Sequence, residues 1–249
     1  MTAKAWAFLL LTLLAVVAVL FLPPVPQPAG YHHFADARTL WGIPNALNVL
    51  SNIPFLLLGI WGLRALGRAN FSDSRERMSY GVLFAGVALT AFGSAYYHWM
   101  PNNDRLVWDR LPITVGFMGI FAAMISERVS LRPGRALLWP LVALGVASVA
   151  YWHWTELQGA GDLRWYLLVQ LYPLLAIPLL MAAFVPRYTA GRYVLLAIAL
   201  YVVAKGFELA DAPVFATLHY ISGHTLKHLA AAGASACLVQ MVAVRSPIR

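Results

Sequence analysis

The sequence predicts an all-α protein that crosses a membrane several times, and three observations support this prediction. Of the 249 residues, 61% are hydrophobic and only 11% are charged, whereas charged residues make up about a quarter of a soluble domain. Several apolar stretches are long enough to cross a bilayer as helices. Basic residues are concentrated in alternate connections between these stretches. We therefore expect a polytopic membrane helix bundle with a seven-transmembrane core plus one extra N-terminal transmembrane helix.

Eight predicted spans carry this fold. They cover residues 5–22, 44–66, 78–98, 109–127, 135–153, 164–185, 190–208 and 218–243. The first span follows Lys4 and precedes a proline-rich segment, so it is either a signal peptide or an anchor helix. We favour the anchor because no small-x-small cleavage site follows it. Residues 1–30 are thus expected to form an N-terminal helix and linker, and residues 31–249 to form the membrane domain.

The formal net charge of +8 is explained by topology and not by a nucleic-acid partner. The basic residues fall at ends that one side of the membrane would hold if every predicted span crosses. By the positive-inside rule that side is the cytoplasm, with both termini inside. The composition suggests a bacterial source, so we expect an inner-membrane protein without an obligate protein partner. The single Cys237 permits no intramolecular disulfide.

The first core span carries an unusual polar stripe. Residues 31–43 are too polar to cross and are expected to fold over the outer end of the core, before Pro44 opens the helix. Four polar side chains then share one helix face: Asn45, Asn48, Ser51 and Asn52. Such a stripe fits hydrogen bonding between helices and a direct functional role about equally well.

Histidines recur at helical spacing near the outer ends of two other spans. Ser94 and His98 are four residues apart and share one helix face. Asp109 follows a short connection on the same side. His224 and His228, also four residues apart, aim two imidazoles at one point. A single histidine near a helix end is usually interfacial or hydrogen-bonded, but these residues all converge at one depth.

Three neutral imidazoles with an open fourth position form the ligand set of a hydrolytic zinc centre, in which bound water has a pKa of about 7. The sequence therefore predicts that His98, His224 and His228 bind Zn²⁺. Lys205 and Glu208, one turn apart in the seventh run, are expected to form only an intrahelical ion pair.

These residues resemble the alkaline ceramidase family, part of the CREST superfamily of seven-helix membrane hydrolases that also includes adiponectin-receptor-like proteins. The family pattern is a serine four residues before a histidine, an aspartate eleven residues later, and an HxxxH pair in the last helix, matched here by Ser94, His98, Asp109, His224 and His228. The Asn-x-x-Ser-Asn signature is present as Asn48, Ser51 and Asn52. The resemblance covers residues 31–243.

The resemblance implies a zinc-dependent lipid amidase whose substrate is a membrane lipid. It also implies calcium, held in the family by an acidic cluster near the first core helix. Here that stretch offers Asp36 and Asn45 without glutamates, so the sequence does not support a calcium site. His32 and His33 stand there instead, and because adjacent residues point apart, loop packing is expected for them.

We hypothesise that the zinc site hydrolyses the N-acyl bond of ceramide-like lipids, releasing a fatty acid and a sphingoid-type base. In this hypothesis Asp109 is the general base and then the acid, and Ser94 hydrogen-bonds the developing oxyanion. Three other functions use the same residues differently. They are an adiponectin-receptor-like receptor, a haem-bearing electron-transfer bundle and a proton-coupled transporter.

Overall fold

Helices form nearly all the regular structure in the computed structural model, which describes residues 2–248. In chain order they are α1 Ala3–Phe21, α2 Ala46–Leu50, α3 Ile53–Leu66, α4 Arg77–Trp99, α5 Asn103–Arg128, α6 Leu131–Leu157, α7 Arg164–Ala183, α8 Arg192–Leu209, α9 Asp211–Leu218 and α10 Gly223–Val244. Short 3-10 turns lie at Ala29–His32 and Ser74–Glu76. Within residues 2–248, β-structure is limited to two isolated bridges.

Seven helical segments are long and apolar enough to cross a membrane, and α8 with α9 makes an eighth if that bent pair is one span. This confirms the predicted polytopic all-α fold with an additional N-terminal helix. Helix α1 lies against α7, where Lys4 Nζ donates to the carbonyl oxygen of Ala183 at 2.8 Å and the hydroxyls of Thr12 and Tyr172 are 2.5 Å apart. The division at residue 30 stays a prediction.

The first core span differs from its prediction because it is broken. Pro44 lies in a turn and does not open the helix; α2 begins at Ala46, after Asn45 in a left-handed conformation with φ 47°. The helix stops at Leu50 and restarts as α3, with Pro54 in the first turn. A proline ring clashes with the carbonyl four residues earlier, which here belongs to Leu50.

The seventh predicted span, 190–208, ends close to where α8 ends, but the short helix α9 that follows it was not predicted. The chain turns by 77° between α8 and α9, so residues 211–218 form a short separate helix before α10 begins. The same proline effect applies, since Pro213 lies four residues after Leu209, the last residue of α8. The turn brings Asp211 back over the end of the bundle that holds His98, which we call the histidine end.

Helices α4 and α5 approach each other most closely near the histidine end. A Cβ atom added to Gly93 would lie 1.9 Å from the carbonyl oxygen of Trp108, and one added to Gly86 would lie 2.6 Å from the backbone nitrogen of Gly116. Glycine at these positions lets the two backbones touch, as in other membrane helix pairs. This contact places Ser94 beside Asp109.

Buried ion pairs tie the opposite end of the bundle together. Arg245, only 1% exposed, pairs with Glu127 of α5, and its guanidinium lies 3.7 Å from the ring centroid of Tyr188. Tyr80 of α4 donates to the same Glu127 carboxylate at 2.6 Å. These contacts fix the chain after α10 to α4 and α5 at the end of the bundle opposite the histidines.

Candidate metal centre

The structure brings the three predicted histidines together. His98 comes from the last turn of α4, and His224 and His228 come from the first turns of α10; all three are buried. One ligand nitrogen from each lies within 4.8 Å of the other two. Their ring centroids form a nearly equilateral triangle with sides of 4.8, 4.8 and 4.9 Å. The cluster can hold a metal ion.

Ser51 fixes how His228 presents its nitrogen atoms. The Ser51 hydroxyl donates to the Asn48 carbonyl oxygen at 3.1 Å and lies 2.7 Å from Nδ1 of His228. A hydroxyl has one hydrogen to donate, so Nδ1 of His228 carries the proton that Ser51 accepts. Nε2 of His228 then keeps a free lone pair, the form in which an imidazole binds a metal.

The other two histidines are positioned through their backbones and by stacking. The carboxylate of Asp211 accepts the backbone N–H of His224 at 2.7 Å, and the Asn45 side chain donates to the His98 carbonyl oxygen at 2.9 Å. Phe34 covers the pair, with its ring centroid 4.7 Å from His98 and 4.5 Å from His224. The connection before α2 thus closes one side of the cluster.

The donor set fits zinc. Nε2 of His98 and Nε2 of His224 are 3.3 Å apart, close to the roughly 3.3 Å expected for two nitrogens at tetrahedral angles and bond lengths of about 2.05 Å around Zn²⁺. Nδ1 of His98 is buried without a hydrogen-bond partner among the described residues. Three imidazoles without a carboxylate or thiolate are typical of zinc and other borderline metals.

The same geometry disfavours haem as the bound group. Axial imidazoles lie on opposite faces of the iron, with the flat macrocycle between them. Here the three rings stand edge against face at centroid distances below 5 Å, which leaves no slot between any two of them for a porphyrin.

Ser94 and Asp109 lie in the wall of the cavity that His228 also lines. Both are buried, with 2% and 9% of their surfaces exposed. Ser94 is one helical turn before His98 and neighbours the Asp109 carboxylate across the Gly93 contact. Their catalytic roles remain predictions.

The cavity has a volume of about 430 Å³, within the usual range for small-molecule sites. Its lining is mostly apolar, including Leu83, Ile120 and Leu238, and its charged side chains, among them Asp109, Glu208 and Lys227, lie near the histidine end. Ile120 is eleven residues from Asp109 along α5, so the cavity runs roughly 16 Å along the bundle. This shape suits a molecule with a polar head and a long hydrocarbon tail.

Sequence reasoning missed Lys227 as part of the site. Its Nζ donates to Glu208 at 2.8 Å and lies 3.4 Å from Nε2 of His224. Glu208 also pairs with Lys205 on its own helix, which confirms the predicted intrahelical ion pair. Because Lys227 belongs to α10, the carboxylate of Glu208 joins two helices. Lys227 lies three residues after His224 on the same helix face. A lysine inside an apolar span is rare, and this feature of the sequence could have indicated a functional residue.

The residues near the first core helix have structural partners. Both ring nitrogens of His32 are hydrogen-bonded, to Tyr97 and to Asn103 at 2.9 Å each, which confirms the predicted packing for that histidine; burial lowers its pKa. The Asp36 carboxylate is held by Arg38 at 2.7 and 2.8 Å, and these hydrogen bonds lower the pKa of Asp36. Neither residue faces the three-histidine cluster as a ligand.

Comparison of the chain with models of known protein families found no match, and a search of curated proteins found no significant match either. What fold and site establish together is the class: an integral membrane helix bundle with a buried three-histidine cluster able to hold a metal ion.

Proposed function

We propose that this protein is a zinc-dependent amidase that hydrolyses the N-acyl bond of ceramide-like lipids inside the membrane. One observation carries the proposal: three histidines have metal-ligand geometry, and one of them, His228, lines a long, mostly apolar cavity. The resemblance of these residues to the alkaline ceramidase motifs supports the same reaction class. The substrate's acyl chain would occupy the apolar part of the cavity and its amide the polar end.

Five residues of the chain would bind the ion or take part in the reaction directly. His98, His224 and His228 would hold the ion, with Ser51 fixing the tautomer of His228. Zinc, when bound, supplies Lewis-acid polarisation and lowers the pKa of a coordinated water. Asp109 would accept a proton from the attacking water and return it to the leaving amine nitrogen.

Ser94 would donate a hydrogen bond to the carbonyl oxygen as negative charge develops on it, an effect that is strong in a buried, water-poor site. The arginine distribution of the connections further supports the view that the histidine end faces the outside of a bacterial inner membrane.

The decisive experiment combines metal analysis with a product assay. Purified wild type is expected to bind one equivalent of zinc and to release free fatty acid from N-acyl lipids, whereas His228→Ala should lose both. His219→Ala is the matched control, because His219 is exposed at the end of α9. Undiminished zinc in His228→Ala would contradict the site. Zinc without turnover on any lipid would favour the receptor-type function.

A further inference from the structure

Arg110, the residue after Asp109, is buried in the cavity wall and was not singled out from the sequence. It is 3% exposed and lines the cavity from α5. Its guanidinium carbon lies 4.0 Å from the ring centroid of Trp152, 4.6 Å from that of Tyr166 and 5.6 Å from that of Tyr31. These rings stabilise the cation through their π faces, but they accept none of its in-plane N–H bonds.

Among residues 2–248, one side chain accepts a hydrogen bond from Arg110. Its Nη2 donates to Oε1 of Gln27 at 2.6 Å, while Nε and Nη1 are buried without partners among the described residues. Because an arginine only donates, the Gln27 amide must turn its oxygen toward it. Nε2 of Gln27 is then also buried and unpartnered.

Within residues 2–248, no carboxylate oxygen lies within 4.0 Å of this cation, although the carboxylate of the neighbouring Asp109 lies in the same cavity. Across residues 2–248, the ion pairs within 4.0 Å involve other arginines and lysines. The nearby Glu156 is already hydrogen-bonded by the Gln27 backbone N–H and by the Trp152 indole, at 3.2 Å each. A buried charge with unfilled donors is costly unless an acceptor completes it.

We propose that Arg110 and Gln27 form a binding site for the anionic group, a carboxylate or a phosphate, of a lipid whose tail fills the apolar part of the cavity. Three buried nitrogen donors are without partners among the described residues, Nε and Nη1 of Arg110 and Nε2 of Gln27, and a planar guanidinium suits the paired oxygens of such a group. The mostly apolar cavity extends roughly 15 Å from Arg110 to Ile120 along α5, which gives the tail its space.

A series of side-chain contacts connects Arg110 to the histidine cluster. Tyr31, which neighbours Arg110, donates to Glu208 at 3.5 Å, and Glu208 accepts from Lys227 beside His224. If the proposed amidase function holds, on which this step rests, an anion at Arg110 would belong to the head of the substrate. The substrate class is then an N-acyl lipid with an acidic head group, such as an N-acyl amino acid.

A binding experiment on the full chain in nonionic detergent tests the anion site. Dodecyl phosphate is expected to bind at least about ten-fold more tightly than dodecylglycerol, which has the same chain length and no charge. Arg110→Met should abolish this preference, and Arg110→Lys should retain part of it because charge remains without the planar fork. Gln27→Leu should reduce the preference several-fold.

Two controls separate this site from its surroundings. Arg105 is also on α5, but it does not line the cavity, and its guanidinium carbon lies 4.3 Å from the ring centroid of Tyr96. Arg105→Met should therefore leave the preference for dodecyl phosphate unchanged. His224→Ala should also keep it, because the anion does not depend on the metal. A preference that survives Arg110→Met overturns the proposal. If that variant does not fold, an unchanged preference in Gln27→Leu overturns it instead.

Free anions and activity supply the remaining tests. Inorganic phosphate should compete only weakly; binding as tight as that of dodecyl phosphate would show a site for a free anion and overturn the lipid assignment. Wild type should hydrolyse N-dodecanoylglycine with higher kcat/KM than neutral N-dodecanoylethanolamine. Anion binding without hydrolysis of either would sink the amidase function and keep the site, whereas hydrolysis without any anion preference would do the reverse.

Discussion

The hydroxyl oxygen of Ser51 lies 2.7 Å from Nδ1 of His228, at the break between α2 and α3. The same hydroxyl also hydrogen-bonds the carbonyl oxygen of Asn48, three residues earlier. Asn52 and Thr225 donate to Asn48 as well, at 2.8 Å each. Members of the polar stripe therefore contact two of the three histidines, Ser51 at the His228 ring and Asn45 at the His98 carbonyl oxygen.

Replacing Ser51 with alanine should weaken zinc binding without removing a ligand. Loss of the partner that orients a metal-binding histidine typically costs about 10- to 100-fold in affinity. Zinc affinity measured by competition with a chelator checks this expectation. Ser235→Ala is the matched control, because Ser235 on α10 donates only to its own helix at Ala231. Equal affinities in both variants would contradict the assigned role.

Gly93→Ala should destabilise the bundle and disturb the site together. The new Cβ would lie 1.9 Å from the Trp108 carbonyl oxygen, so α4 and α5 must separate, at a cost of roughly 1–3 kcal/mol or more. Thermal unfolding in detergent and zinc content measure the two effects. Gly206→Ala on α8 meets no atom within 4 Å and should be neutral or slightly stabilising. Similar melting temperatures for both variants would refute the close contact.

Removing the charge of Glu127 should unfold the opposite end of the bundle more readily. Glu127→Gln leaves the buried guanidinium of Arg245 without its counter-ion, and breaking such a pair costs about 3–5 kcal/mol. Zinc affinity at the distant histidine end should change little in the molecules that remain folded. Asp73→Asn, which removes a surface pair with Arg75, should barely shift the melting temperature; an equal shift would contradict this account.

The ion pair between Asp36 and Arg38 should make stability depend on acid. Hydrogen bonds from Arg38 lower the pKa of Asp36, so the folded state binds that proton less readily than the unfolded chain. The resulting stabilisation is present above the unfolded pKa of about 4 and is lost as pH falls through the lower folded value. Melting temperatures of wild type between pH 6 and pH 3 should fall more steeply than those of Asp36→Asn. Parallel curves would show that the pair contributes nothing.

The sequence was sufficient for features that repeat locally. Apolar length predicted the spans, and the i, i+4 spacing with a common depth predicted the meeting of His98, His224 and His228. The interruption between α2 and α3 and the short helix α9 were not predicted in this way, although in each case the preceding helix ends four residues before a proline. Pro112 and Pro140 lie inside unbroken helices, so proline permits a break and tertiary contacts decide where one occurs.

Contacts between distant segments were beyond sequence reasoning. Arg110 follows Asp109 directly, yet its importance depends on Gln27, 83 positions away, and on rings from three other segments. Lys227 likewise gains its role from Glu208 on another helix. In both cases the sequence shows a charged residue in an apolar span, which is energetically unfavourable unless a partner stabilises it. Which groups surround that charge is visible only in the folded bundle.

The stretch just after α1 forms part of the cavity wall. Val25 accepts a hydrogen bond from the backbone of Leu163 at 2.8 Å, and Gln27 faces the interior. A chain shortened to begin at residue 31 would retain every histidine but leave one side of the cavity open. The segment after α1 therefore helps to set the shape of the cavity, although the three clustered histidines all lie in later helices.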